Sequence, residues 1–138
     1  AKRELSSAQL RTRLARRKFP GSEIDEALAR LTHDGTLNDR RVAEAAARLE
    51  GNVRRRGRRR AMQRLLQLGI SAEIAADAVD AVFSEIDEAG LLDAALEHKL
   101  KGADPGTLDD AARARIVRSL VAQGFDAGDV LNRLRKKR

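Results

Sequence analysis

The chain contains no cysteine, tryptophan or tyrosine and only three phenylalanines, so aromatics make up 2% of its 138 residues. Without cysteine there is no disulfide framework, no Cys-ligated zinc site and no thiol nucleophile. That composition fits a reducing, cytoplasmic setting. No stretch approaches the roughly 18 apolar residues of a membrane span. The charged N-terminus is not followed by the apolar core of a signal peptide. A start at Ala1-Lys2-Arg3, without Met, is the pattern expected of a trimmed chain. Strand signatures are missing too: period-two alternation is not sustained, and β-branched and aromatic residues are few. At this length one or two compact units or a string of small repeats is expected, not a large multidomain enzyme.

What the chain does have is positive charge, unevenly placed. Twenty-eight Lys and Arg oppose 21 Asp and Glu, for a formal net charge of +7. Residues 1–79 carry +8, residues 80–112 carry −7 and residues 113–138 carry +6. The densest point is Arg54-Arg55-Arg56-Gly57-Arg58-Arg59-Arg60, and Arg135-Lys136-Lys137-Arg138 forms a second cluster. No carboxylate falls between Gly51 and Ile70, so neither cluster is expected to be neutralised by local i,i+4 partners. The acidic middle is expected either to face basic patches of a partner or to keep the chain from collapsing onto a polyanion.

Apolar spacing is helical almost throughout. Ile24, Ala27, Leu28 and Leu31 fall at i, i+3, i+4 and i+7, and Val42, Ala45, Ala46 and Leu49 repeat the pattern. Ser6 with Gln9 and Thr107 with Asp110 read as capping boxes, and Ser71 and Asp126 as N-caps. Paired carboxylates at Asp87-Glu88 and Asp109-Asp110 read as helix N-terminal charges that complement the macrodipole. The chain is expected to be all-α.

Three segments, 10–28, 61–79 and 116–134, align without gaps. Their matched columns are Leu10/Ala61/Ile116, Leu14/Leu65/Leu120, Phe19/Ile70/Phe125, Ile24/Ala75/Val130 and Leu28/Val79/Leu134. Each is a helix, a short turn bearing an apolar plug, and a second helix. A third helix is expected at Asn38 to Glu50 and again at roughly Asp87 to Lys101. This predicts an elongated tandem array of three-helix, helix-turn-helix-like repeats: 1–52, 53–102 and 103–138, the last with a partial or truncated third helix. Phe19 and Phe125, as plugs, are expected in the core.

Chemistry is sparse. The two histidines, His33 and His98, have no second His at i+3 or i+4. There is no phosphate-cradling glycine loop and no nucleophile elbow. The chain is therefore expected to be no enzyme and to use no cofactor and no metal. The arginine run points instead to binding, because guanidinium groups pair in two-pronged fashion with phosphate or carboxylate. With so few aromatics, base stacking is disfavoured, and contact with nucleic acid should be to the backbone, sequence-tolerant and salt-dependent.

Several stretches together resemble a known family. Ser7-Ala8-Gln9-Leu10-Arg11-Thr12-Arg13-Leu14 running on to Phe19-Pro20, then 23–31, then Asp34-Gly35-Thr36-Leu37-Asn38-Asp39, are similar to the first repeat of RecX proteins, modulators of the RecA recombinase. Arg64 to Ser71, Ala75 to Val79, Ala94 to Gly102, Arg118 to Phe125 and Val130-Leu131 continue the likeness in order. The chain departs from the family where an aromatic is usual near Val42, and where a Lys/Arg-Gly-Tyr-Gly-like stretch is replaced by Arg56-Gly57-Arg58-Arg59.

The resemblance implies a monomer that takes part in DNA repair, homologous recombination and the SOS response. It would lie in the groove of the RecA–DNA filament and suppress ATP hydrolysis, strand exchange and coprotease activity. The basic surface is the candidate contact with filament and DNA phosphates: Arg54, Arg55, Arg56, Arg58, Arg59, Arg60, Arg64, Arg16, Arg17, Arg135, Lys136 and Lys137. Two other readings share the same charge. One is a sequence-tolerant helix-turn-helix DNA-binding protein acting without a recombinase; the other is a helical scaffold with no nucleic acid involved.

Overall fold

A computed structural model describes residues 4–136. Among them are eight α-helices and no strand: α1 (Ser7–Arg16), α2 (Gly21–His33), α3 (Asp39–Arg48), α4 (Arg58–Gln67), α5 (Ala72–Phe83), α6 (Glu88–Leu100), α7 (Asp110–Ala122) and α8 (Ala127–Lys136). A π-helical turn, Leu49–Val53, continues α3, and a 3₁₀ turn, Pro105–Thr107, precedes α7. The all-helical tandem array expected from the sequence is the fold observed. No helix among the described residues is long and apolar enough to cross a membrane.

Local chemistry starts most helices where the sequence places them. At α1 the capping box is complete: the Ser6 hydroxyl accepts from Gln9 N–H, and the Gln9 side chain accepts from Ser6 N–H. Ser71 caps α5, Asp87 caps α6, and Asp126 Oδ2 accepts from Asp129 N–H ahead of α8. The expected box at Thr107 is not formed. Asp109 caps α7 by accepting from Ala112 N–H at 2.8 Å, while the Thr107 hydroxyl donates to Asp104 O at 2.7 Å within the 3₁₀ turn. A carboxylate two residues further on lies nearer the free amides and takes the position.

The three-fold repeat is visible in the backbone itself. Phe19, Ile70 and Phe125 each donate their N–H to the carbonyl five residues back, that of Leu14, Leu65 and Leu120, at 3.3, 3.2 and 3.1 Å. The residue before each plug is left-handed, with φ of 66° at Lys18, 81° at Gly69 and 105° at Gly124. Glycine adopts this conformation at no steric cost, and Lys18 adopts it against preference.

Packing groups the helices as a pair and two triplets. Ile24, Leu28 and Leu37 hold α1 and α2 together, with Leu10, Leu14 and Leu31 half-buried beside them. Val42, Ala43 and Ala47 of α3 meet Ala61 and Leu65 of α4 and Ala75, Ala78, Val79, Val82 and Phe83 of α5. The many alanines let α3 and α5 approach closely, and Phe83, 1% exposed, supplies the bulk. Leu91, Leu92 and Leu96 of α6 close over Leu120, Phe125, Val130 and Leu134. Each triplet thus joins a hairpin to the helix before it, one helix out of phase with the sequence period.

That phase explains one overturned expectation. Ile70 and Phe125 are plugs in the core, covered by α3 and α6, but Phe19 is 47% exposed. No helix among the described residues lies over Phe19 as α3 and α6 lie over its counterparts. The first pair is tied to the middle triplet mainly by polar groups. The buried Ser6 hydroxyl donates to Leu68 O at 2.6 Å, and Asp39 Oδ1 accepts from Ser7 N–H at 2.8 Å. Arg41 forks onto Glu4, and this hydrogen bonding holds the Glu4 carboxyl below the usual glutamate range.

Candidate functional site

The arginine run joins α3 to α4 and is far more engaged than its sequence suggests. Because the π turn re-aims the chain after Arg48, Glu50 points inward and is 1% exposed. Gly51 follows it into a space where a Cβ would lie 2.5 Å from Ile86 and 3.3 Å from the Phe83 ring. Arg54 donates to Glu50 Oε2 at 2.7 Å, and Arg56 sits 3.5 Å from Oε1, which accepts no hydrogen bond among the described residues. The run therefore does have an i,i+4 carboxylate, Glu50, one residue outside the stretch that lacks acidic groups.

Beyond Glu50 the partners come from distant sequence. Arg58 grips Glu88 with two nitrogens at 3.4 and 3.2 Å, reaches Asp80 as well, and stands 5.7 Å over the Phe83 ring centroid. Arg59 pairs with Asp126 at 2.9 Å, and Arg60 donates to Ala122 O at 3.2 Å. The backbone joins in, with Gly57 N–H donating to Gln123 O at 2.8 Å and Arg59 N–H to Gly124 O at 3.2 Å. Gly57 and Gly124 meet face to face, so that a Cβ on Gly57 would run into the Gly124 carbonyl. The start of α4 is thereby fastened to the turn between α7 and α8.

The acidic middle finds its place in the same network. Asp80 and Glu88 face Arg58, and Asp93 pairs with Arg133 of α8 at 2.6 Å. These pairs are substantially exposed, so each contributes at most about 1 kcal/mol. Their geometric effect is larger, because they take guanidinium groups away from solvent-facing partners.

Among the described residues, no carboxylate lies within ion-pair distance of Arg16, Arg17, Arg55, Arg60, Arg64 or Arg135. Arg16 and Arg17 stand exposed at the end of α1. Arg55, left-handed at φ 56°, projects from the run, and Arg64 lines a cavity of about 200 Å³ bounded by the start of α1, α3, the π turn and α4, with Glu4 and Glu50 also in its walls. Arg135 is exposed near the end of α8, which closes at Lys136; Lys137 lies outside the described residues. The fold brings Arg54 to Arg60 together with four carboxylates, and it leaves Arg16, Arg17 and Arg135 on separate elements. The sequence reading missed Glu50, Asp80, Glu88 and Asp126 as parts of this site. Only Glu50 carried a local signal, its i,i+4 spacing to Arg54.

Comparison with known proteins fits this architecture. A family model described as RecX, first three-helix domain, matches residues 1–31. A regulatory protein RecX from Chlorobium phaeobacteroides (strain BS1) is 33% identical over 131 residues, covering 93% of this chain and 81% of the relative. The chain belongs to the RecX family. A second regulatory protein RecX, from Syntrophotalea carbinolica, is 31% identical over 125 residues, covering 91% of this chain and 82% of the relative. Among solved structures, RecX from Lactobacillus salivarius superposes with a TM-score of 0.79 at 19% identity, over 94% of this chain and 85% of that one. Another structure of regulatory protein RecX gives a TM-score of 0.76 at 18% identity; there this chain is covered to 91% but spans only 61% of the longer chain. The RecX fold is thus shared over more than nine-tenths of the chain.

Proposed function

We propose that this chain regulates the RecA recombinase by binding rather than catalysis. It lies in the groove of the RecA–DNA filament as a monomer and suppresses ATP hydrolysis, strand exchange and coprotease activity. The observation that carries this reading is family relationship over 93% of the chain to proteins named as regulatory.

The candidate basic residues differ in whether a carboxylate of the chain already engages them, and this difference supports separate roles. Arg54, Arg56, Arg58 and Arg59 are engaged with carboxylates and shape the joint between the two triplets. Arg55, Arg60, Arg64, Arg16, Arg17 and Arg135, with Lys136 and Lys137, are the residues proposed to meet filament and DNA phosphates. Arginine suits backbone phosphate, and no exposed aromatic platform accompanies these residues apart from Phe19.

The test is ATP hydrolysis by the cognate RecA on single-stranded DNA, titrated with this protein. Inhibition is expected, and replacing Arg55, Arg60 and Arg64 with Gln should weaken it while leaving the melting temperature within a few degrees. Undiminished ATP hydrolysis at a several-fold excess of protein over recombinase would overturn the reading. Inhibition well below one protein per recombinase indicates blocked filament growth; a need for near-equal amounts indicates coating of the groove.

A further inference from the structure

The joint between the first helix pair and the middle triplet encloses the cavity of about 200 Å³ that Arg64 lines. Drug-sized pockets begin at roughly 300 Å³, so the scale here is that of a small metabolite. Val42 and Leu68 are buried in its floor, Ala46 and Leu49 are half-buried beside them, and Glu4 and Ala45 are exposed at its mouth. Two charges in these walls lack their complement. Glu50 sits in the π turn, a distortion that recurs at functional sites, and is 1% exposed. Its Oε2 accepts from Arg54, but its Oε1 accepts no hydrogen bond, although Arg56 stands 3.5 Å away. A buried carboxylate oxygen left without a donor is costly. On the α4 side, half-buried Arg64 has no carboxylate within ion-pair distance among the described residues, Glu4 and Glu50 included. The other two polar walls are already engaged in part. Glu4 is held by the fork of Arg41, and the side-chain carbonyl of Gln9 accepts from Ser6 N–H, which leaves Gln9 its N–H donors to offer.

We propose that this cavity binds a free α-amino acid with a small aliphatic side chain. Its ammonium group donates to Glu50 Oε1, its carboxylate meets Arg64 and Gln9, and its side chain lies on Val42, Leu49 and Leu68. An acceptor without a donor and a cation without an anion, joined by apolar surface, are the complement of a zwitterion with an apolar tail. The guanidinium groups of Arg41, Arg54, Arg56 and Arg64 outnumber the carboxylates of Glu4 and Glu50 around this space. A ligand that brings a positive charge without a carboxylate of its own is therefore disfavoured, which separates an amino acid from a simple alkylamine. An occupant would touch α1, α3 and α4 together. It would tighten a joint that otherwise rests mainly on the hydrogen bonds of Ser6 and Ser7 and the fork of Arg41. The site is independent of RecA regulation, and its failure would leave that reading where it stands.

The test is isothermal titration calorimetry of leucine into the full chain, without recombinase or DNA, with the melting temperature followed alongside. Leucine should bind with a dissociation constant between about 10 μM and 1 mM and raise the melting temperature. Leucinamide keeps only the ammonium group and N-acetyl-leucine only the carboxylate, and each should bind at least about tenfold more weakly. They also stand for the first and last residues of a peptide, so binding by either as tight as that of leucine would overturn the assignment to a free amino acid. Glu50→Gln should weaken leucine and leucinamide and leave N-acetyl-leucine unchanged, and Arg64→Gln should weaken leucine and N-acetyl-leucine and leave leucinamide unchanged. General loss of structure would not give that split, and equal weakening of all three ligands by both variants would overturn the proposed contacts. Ala45→Leu, at the exposed mouth, should block leucine while the unliganded protein melts as before. No heat and no change in melting temperature at about 10 mM leucine, the result expected of a cavity that holds only water, would overturn the proposal.

Discussion

Gly57→Ala is the sharpest probe of the joint between α4 and the α7–α8 turn, because two effects of opposite sign compete there. Gly57 has φ −79° and ψ 170°, a conformation open to any residue, so alanine introduces no backbone strain. In the absence of a neighbour, the substitution would stabilise the protein by about 0.4–1 kcal/mol through the unfolded state. In the fold, the new methyl meets the Gly124 carbonyl, and Phe125 N is only 2.8 Å from the same position. These are backbone atoms that no rotamer change can move aside. Relief requires the two segments to part, lengthening the bonds from Gly57 N–H to Gln123 O and from Arg59 N–H to Gly124 O. Two such bonds contribute about 1–3 kcal/mol together. A net loss of about 1–2.5 kcal/mol is expected once the opposing gain is subtracted, lowering the melting temperature by about 3–10 °C in a chain of this size. Thermal unfolding followed by circular dichroism measures it, and hydrogen exchange should show faster exchange at the Gly57 and Arg59 amides. A melting temperature that stays the same or rises would refute the close approach of Gly57 to Gly124.

Three further outcomes are expected. Replacing Arg54 and Arg56 together with Ala should destabilise by about 2–4 kcal/mol because Glu50 is left charged and buried, and adding Glu50→Gln should recover part of that loss; chemical denaturation that shows no recovery would contradict a buried charge as the cause. Phe125→Ala should cost about 3–5 kcal/mol, whereas Phe19→Ala, at an exposed plug, should cost under about 1 kcal/mol, so equal losses in denaturant would refute the difference in cover. The Glu4 carboxyl is held below its ordinary range by hydrogen bonds from Arg41, so its contribution is present above the unfolded-state value and disappears as pH falls through the lowered one. Glu4→Gln should therefore flatten the fall in stability between about pH 5 and 3, and denaturation curves with the same pH dependence as the unsubstituted protein would count against that tie.

The repeat was legible because it is written in local terms. A plug five residues after a core leucine, preceded by a residue that turns left-handed, recurs three times and needs no knowledge of what lies elsewhere. Ser6, Ser71 and Asp126 were legible as caps for the same reason. Phe19 misled because its column matches Ile70 and Phe125 in everything except the helix that covers them, and cover is a property of neighbouring elements. Thr107 misled because Asp109 competes for the same amides. The partners of the arginine run were hidden for a different reason: Asp80, Glu88 and Asp126 lie 22 to 67 residues from Arg58 and Arg59, and only the fold brings them together. The charge map correctly marked residues 80–112 as acidic. It had no means of showing that Asp80, Glu88 and Asp93 answer arginines within the same chain.

Fastening residues 57–60 to residues 122–126 also changes how the molecule should come apart. A linear stack of repeats unravels from its ends, each unit needing only its neighbour. Here the strap encloses the rest of α4 with α5, α6 and α7 in a loop of more than 60 residues, and closing such a loop carries an entropic penalty that is met before the contacts at its neck form. The two triplets should consequently melt together as one cooperative block and fold more slowly than separate helical hairpins would. A cut in the exposed chain between α6 and α7 should leave the last hairpin still attached.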